Sequence, residues 1–167
     1  MSKVFSRVFL IFSLMALMLG ALPELPRTLA QEQPQKVVLA GTFQMQLGCS
    51  GNWQPDCDAT ALQYDPISDI WIATFKLEAG EYEYKAALNG SWDENYGAKA
   101  ERDGANIKLS LPEAREVIFF YSRQTNWIAD NVNAILANVP GSFQSEIGCP
   151  NDWMPSCLRT LLQDPDG

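Results

Sequence analysis

From residue 36 onward apolar and polar side chains alternate with a period of two, as a strand with one buried face requires. The clearest case is residues 80–88, GEYEYKAAL. Tyr82, Tyr84, Ala86 and Leu88 fall on one side, and Glu81, Glu83, Lys85 and Ala87 on the other. Residues 69–77 behave alike, with Trp71, Ala73, Phe75 and Leu77 opposing Ile70, Ile72, Thr74 and Lys76. Residues 36–43, 60–65, 105–111, 115–123 and 126–130 are further β-rich runs. Turn residues punctuate them at Pro66, Gly80, Asn89-Gly90, Gly104 and Pro112, and no stretch repeats with a helical period. Asn-Gly is a strong hairpin signal because both residues tolerate positive φ. The pattern predicts an all-β protein, an immunoglobulin-like β-sandwich of about seven strands.

The start of the chain follows a different pattern. Lys3 and Arg7 precede an apolar stretch from Val8 to Leu22, and Thr28-Leu29-Ala30 leads into a polar segment at Gln31. This order predicts a secretory signal peptide over residues 1–30, because the apolar run is shorter than the ~20 residues of a membrane span. Export places the chain in an oxidising, extracellular setting. Cys49, Cys57, Cys149 and Cys157 form two pairs with seven residues inside each, so local disulfides Cys49–Cys57 and Cys149–Cys157 are expected. A zinc site suits this spacing poorly, and the chain has no His to complete one. No cofactor is expected. With 12 basic and 20 acidic residues the net charge is −8 at pH 7, and the segment to be removed is itself basic. So acidic a surface disfavours nucleic acid and anionic membranes and fits a neutral ligand.

A long repeat sets the organisation. Residues 41–63, GTFQMQLGCSGNWQPDCDATALQ, recur as residues 141–163, GSFQSEIGCPNDWMPSCLRTLLQ, without a gap. Gly41, Phe43, Gln44, Gly48, Cys49, Trp53, Pro55, Cys57, Thr60, Leu62 and Gln63 all reappear one hundred positions later. The expected division is a signal peptide at 1–30, a linker at 31–36, a complete module at 37–131, a linker at 132–138 and the truncated start of a second module at 139–167. Residues 134–167 hold too few strands to close a core of their own and are expected to be loosely held.

Candidate chemistry is sparse on the enzymatic side. Asp93-Glu94 is the one adjacent acidic pair near the turn, whereas glycosidases hold two carboxylates about 5–10 Å apart on separate elements. Asp93, Glu94 and Asp103 could supply calcium ligands, but they lack the spacing of a calcium loop. Phosphate loops and nucleophile elbows are absent. The chain is therefore expected to be non-catalytic. A binding role has more behind it: five tryptophans exceed what one small core needs, and Trp71, inside an alternating strand, is the evident core member. Trp53 lies between two cysteines that would pin its loop, and Trp92 follows a tight turn. A flat indole face matches the apolar face of a pyranose ring, while amides and ammonium groups bond its hydroxyls.

The run GNWQPDC together with AGEYEYKAALNGSWDENYG resembles the carbohydrate-binding-like β-sandwich module of bacterial pullulanases and amylopullulanases, over about residues 37–131. More distantly the chain is similar to the glycogen-binding domain of the AMP-activated kinase β subunit and to the starch-binding domains of branching and debranching enzymes. The corresponding positions are Gly41-Thr42-Phe43 with Trp53, then Gly80 to Tyr84-Lys85, then Asn89-Gly90-Ser91-Trp92, then Asn106-Ile107. The resemblance implies that Trp92 and Trp53 stack on glucose units and that Lys85 and Asn106 bond hydroxyls; Tyr96 and Asn95, close to Trp92 in the chain, are added as candidate rim contacts. It further implies an α-glucan polysaccharide as partner and a catalytic domain elsewhere in a secreted parent enzyme. A structural spacer with no sugar affinity is the alternative, and its sign would be burial of both tryptophans against their own sheet.

Overall fold

The nine-residue strand Gly80–Leu88 is the spine of the molecule, long enough to pair with three others. The computed structural model describes residues 32–164, so the signal peptide predicted over residues 1–30 lies outside them. Its strands are β1 Val37–Gly41, β2 Gln63–Asp65, β3 Ile70–Leu77, β4 Gly80–Leu88, β5 Asn95–Tyr96, β6 Ile107–Leu111, β7 Arg115–Tyr121 and β8 Ile128–Asp130. In the first sheet β1 runs along one edge of β4, from Val37 opposite Leu88 to Gly41 opposite Tyr84. Along the other edge β6 takes Gly80 to Tyr84, and β5 takes Ala86 and Ala87. The second sheet has the order β2-β3-β7-β8, and every pairing in both sheets is antiparallel.

The two sheets enclose one core, so the protein is a β-sandwich as expected. Val37, Leu39, Tyr84, Ala86, Leu88 and Leu109 from the first sheet meet Trp71, Leu77, Val117, Phe119 and Tyr121 from the second. These are the faces that alternation assigned. Phe119 sits at the centre, with ring centroids 5.1 Å from Tyr84, 5.6 Å from Phe43 and 6.0 Å from Phe75. The sequence pattern missed only β5, whose two residues are too few to show a period. It also extended β2 back to residue 60, where the chain instead makes a 3-10 turn over Asp58–Thr60.

The outer face of the second sheet is apolar too. Ile70, Phe120 and Ala129 are buried there with Trp127, and Leu161 from the second copy of the repeat joins them. Residues 134–164, expected to be loosely held, make contacts with this face. They lie against the sandwich, and the Leu158 N–H donates to Ser68 Oγ at 3.1 Å. Both expected disulfides are present, Cys49–Cys57 and Cys149–Cys157, with Cα separations of 5.9 and 6.0 Å.

Candidate functional site

The loop that carries Trp53 is built around one buried glutamine. Gln44 Nε2 donates to the Gln54 carbonyl at 2.8 Å and to Thr60 Oγ1 at 2.9 Å. Its Oε1 accepts from the Gly41 N–H at 3.3 Å and the Gln54 N–H at 2.7 Å. A side chain with no solvent exposure thus has its amide satisfied on both ends. The Cys49–Cys57 bond closes the same loop, and Lys36 Nζ ties it to β1 through the Asp56 carbonyl at 2.7 Å. Under these constraints Trp53 takes φ 58°, a left-handed conformation unusual for a bulky residue. Its N–H donates to the Gly41 carbonyl at 3.3 Å. Gly41 must be glycine here, because a Cβ would meet the Glu83 carbonyl oxygen at 2.5 Å.

Trp92 arrives from the other direction. Asn89 and Gly90 have φ of 56° and 73°, and the Ser91 N–H closes the turn on the Leu88 carbonyl at 3.2 Å, as the Asn-Gly pair foretold. The turn lies beside the cysteine loop: a Cβ on Gly90 would come 3.8 Å from Asp56. The indoles of Trp53 and Trp92 meet with ring centroids 6.5 Å apart and planes inclined by 40°. Trp92 is 39% exposed and Trp53 half-buried. They form one bent aromatic surface rather than two separate platforms.

Lys85 lies on the outward-facing side of β4, and Asn106 immediately precedes β6 in the same sheet. Lys85 stands opposite Ala40, one residue from the carbonyl that holds Trp53. It makes no hydrogen bond or ion pair among the described residues, which leaves its ammonium group available. Asn106 is exposed, and its Nδ2 donates to Glu83 Oε2 at 3.0 Å. Glu83 is the residue two before Lys85 on the same face of β4.

Tyr96 and Asn95 do not belong to that rim, because both are buried. The Tyr96 ring lies in the core 6.1 Å from that of Tyr121, and its hydroxyl donates to Glu94 Oε1 at 2.8 Å. Asn95 Nδ2 is held by the Trp92 carbonyl at 3.1 Å and by Asp103 Oδ1 at 2.6 Å. Asn95 therefore braces the Trp92 turn from behind. The same packing separates Asp93 from Glu94. Asp93 is exposed, whereas Glu94 turns inward to accept from Arg123 at 2.5 Å, so the pair does not converge on a common point.

Burial alone would raise the Glu94 carboxyl, but hydrogen bonds from Arg123 and Tyr96, with the charges of Arg123 and Arg102, outweigh it and hold the group below its ordinary value. Asp65 is similar: burial opposes, and hydrogen bonds from Ser68 and the Ile67 N–H prevail. Both groups bind a proton more readily when the chain is unfolded. Their stabilisation is therefore complete above the ordinary carboxylate value, ~4.3 for Glu, and is lost as pH falls through the lower folded value. The urea midpoint should hold between about pH 7 and 5 and decline below about pH 4. Glu94→Gln should shallow that decline; an identical decline in wild type and variant would refute the assignment.

The second cysteine loop repeats the glutamine-centred bonds of the first. Gln144 bonds the Met154 carbonyl and N–H, the Thr160 hydroxyl and the Gly141 N–H, and Trp153 has φ 55°. Trp153 is 69% exposed. Sequence reasoning singled out the tryptophans and missed the glutamine beneath them. Its recurrence with Thr60 in both copies was the available signal.

Comparison with known proteins places the chain in a family. The chain matches the pullulanase X25 domain over residues 36–128 and again over residues 136–167. It is 32% identical over 105 residues to an amylopullulanase of Thermoanaerobacterium thermosulfurigenes, covering 63% of this chain and 6% of that protein. An amylopullulanase of Thermoanaerobacterium saccharolyticum is 33% identical over 105 residues, covering 63% of this chain and 8% of the relative. Among solved structures, pullulanase from Bacillus acidopullulyticus superposes with a TM-score of 0.55 at 31% identity, covering 81% of this chain and 15% of that one. The chain thus spans less than a tenth of the length of these amylopullulanases. It belongs to the pullulanase X25 domain family.

Proposed function

We propose that residues 37–131 are a non-catalytic module that binds α-glucan chains, as an accessory part of a secreted pullulanase-type hydrolase. The observation that carries this reading is the pairing of Trp53 and Trp92, 6.5 Å apart and inclined by 40°; Lys85, on the outward side of β4, makes no hydrogen bond or ion pair among the described residues. α-1,4-Linked glucose chains curve, and a bent aromatic surface follows a curved chain better than a flat one. Lys85 and Asn106 supply the hydroxyl contacts. The site is an open face, which a polymer can cross without threading.

Suppose each indole removes about 80 Å² of sugar and ring surface from water; at ~25 cal/mol per Å² each contributes about 2 kcal/mol. Two such contacts, less the cost of ordering the chain, place the dissociation constant nearer millimolar than nanomolar. Affinity so weak accounts for tandem copies, since linking two sites raises the effective concentration at the second. Trp153 is the corresponding platform of the second copy.

Titration of the protein with maltoheptaose, followed by tryptophan fluorescence, tests the reading. Wild type should show saturable quenching, and Trp92→Ala should bind roughly 30-fold more weakly with the fold retained, the equivalent of ~2 kcal/mol. Absence of a response from wild type up to about 10 mM would replace binding with the spacer role.

A further inference from the structure

The two copies of the cysteine loop differ in a concerted way. In the first, Lys36 and Asp58 form an ion pair at 2.5 Å that fastens the loop to the segment preceding β1. One hundred positions later both partners are replaced together, by Leu136 and Leu158, and Ala59 is replaced by Arg159. The backbone around them is unchanged. The bridge between Val38 and Ala61 has its counterpart between Asn138 and Leu161. The bond from the Leu62 N–H to the Val37 carbonyl recurs from Leu162 to Ala137, both at 2.8 Å. Folding of the loop therefore does not require the exchange of an ion pair for two leucines.

The new residues are used outside the loop. Leu136 and Leu158 pack with Leu161 on the cluster of Ile70, Phe120, Trp127 and Ala129, the outward face of β3, β7 and β8. Arg159 reaches across the turn before β3, donating to the Ile67 carbonyl at 2.7 Å and the Pro66 carbonyl at 3.0 Å, with Asp69 Oδ2 at 3.6 Å. A planar guanidinium with several fixed donors suits such a set of carbonyls, where a lysine or alanine would not. Apolar contact and directed hydrogen bonds thus coincide at these three replaced positions.

We propose that these replacements build an interface between consecutive modules, so that the second copy is seated in one orientation on the outer sheet of the first rather than joined by a flexible linker. The first copy keeps Lys36, Asp58 and Ala59 and presents a solvated loop; the copy that follows carries Leu136, Leu158 and Arg159 and presents a docking edge. The interface holds whether or not either copy binds sugar.

The test is amide hydrogen exchange on the whole chain, comparing wild type with the L136K/L158D/R159A variant. These changes restore the first loop's residues at the three positions, including its ion pair, and remove the contacts that Leu136, Leu158 and Arg159 make outside the loop. The amide at position 158, which donates to Ser68 Oγ in wild type, should lose at least tenfold of its protection, each rate being taken relative to the intrinsic rate of the residue present, roughly the loss of one such contact. The Cys149 amide, bonded within the loop to the Gln144 carbonyl, should keep its protection. Unchanged protection at position 158, or a Leu158 amide already unprotected in wild type, would overturn the proposal. Should Cys149 lose protection too, Arg159→Ala alone decides: faster exchange at Leu158 with Cys149 intact supports the interface, and no change refutes it.

Discussion

Phe119→Ala should destabilise the sandwich by about 3–5 kcal/mol, a large part of the ~5–15 kcal/mol that holds a domain of this size together. Phe119 is fully buried on β7 and touches aromatic rings from three directions: Tyr84 edge-on at 83°, and Phe43 and Phe75 at 42° and 48°. Tyr84 belongs to the first sheet and Phe43 to the loop that leads to Trp53, so one side chain joins both sheets and the site's support. Removing it opens a cavity that the strands around it cannot fully close, and the edge-on contact with Tyr84 is lost as well. Urea denaturation should show a much lower midpoint with an unchanged slope. A loss under about 1 kcal/mol would mean that the packing around Phe119 collapses readily.

Gln44→Ala should cost about 2–4 kcal/mol by a different route, because it removes little volume and leaves polar groups stranded. The Gly41 and Gln54 N–H groups and the Thr60 hydroxyl lose their glutamine partner, and the Gln54 carbonyl keeps only the Cys57 N–H, around a side chain that is itself fully buried. The left-handed φ of Trp53 persists only while its surroundings enforce it, so the tryptophan should also lose its fixed pose. The variant should therefore combine lower stability with a weaker fluorescence response to maltoheptaose. Gln44→Glu separates the causes. It keeps the shape and the two acceptor contacts but sets a carboxylate oxygen against the Gln54 carbonyl, so it should be destabilised most above its own pKa. Stability within about 0.5 kcal/mol of wild type for Gln44→Ala would show that water replaces the glutamine at no cost.

Much of the fold was legible because it rests on local rules. Alternation in residues 80–88 placed Tyr84 inward and Lys85 outward, the Asn89-Gly90 pair announced its turn, and the cysteine spacing fixed both disulfides. What escaped depends on contacts distant in sequence. Tyr96 reads as a rim residue among polar neighbours, yet Tyr121 and the Glu94–Arg123 pair draw it into the core. Gln44 looks like any polar loop residue until the carbonyl of Gln54 and the hydroxyl of Thr60 are found around its amide. Ile70 and Phe120 sit on strand faces that alternation marks as outward, and no local pattern says that Leu158 and Leu161 cover them. At the candidate site, Trp53 and Trp92 were named from their flanking turns, but their joining into one bent surface follows from the approach of two loops 39 positions apart.

The central claim is that this shared indole surface receives the sugar, and the indole N–H resonances of the 15N-labelled protein test it directly. Under titration with maltoheptaose the Trp53 and Trp92 signals should move together and saturate in the millimolar range, while those of the buried Trp71 and Trp127 stay in place. Stationary Trp53 and Trp92 signals at about 10 mM sugar, or movement confined to other tryptophans, would contradict the account.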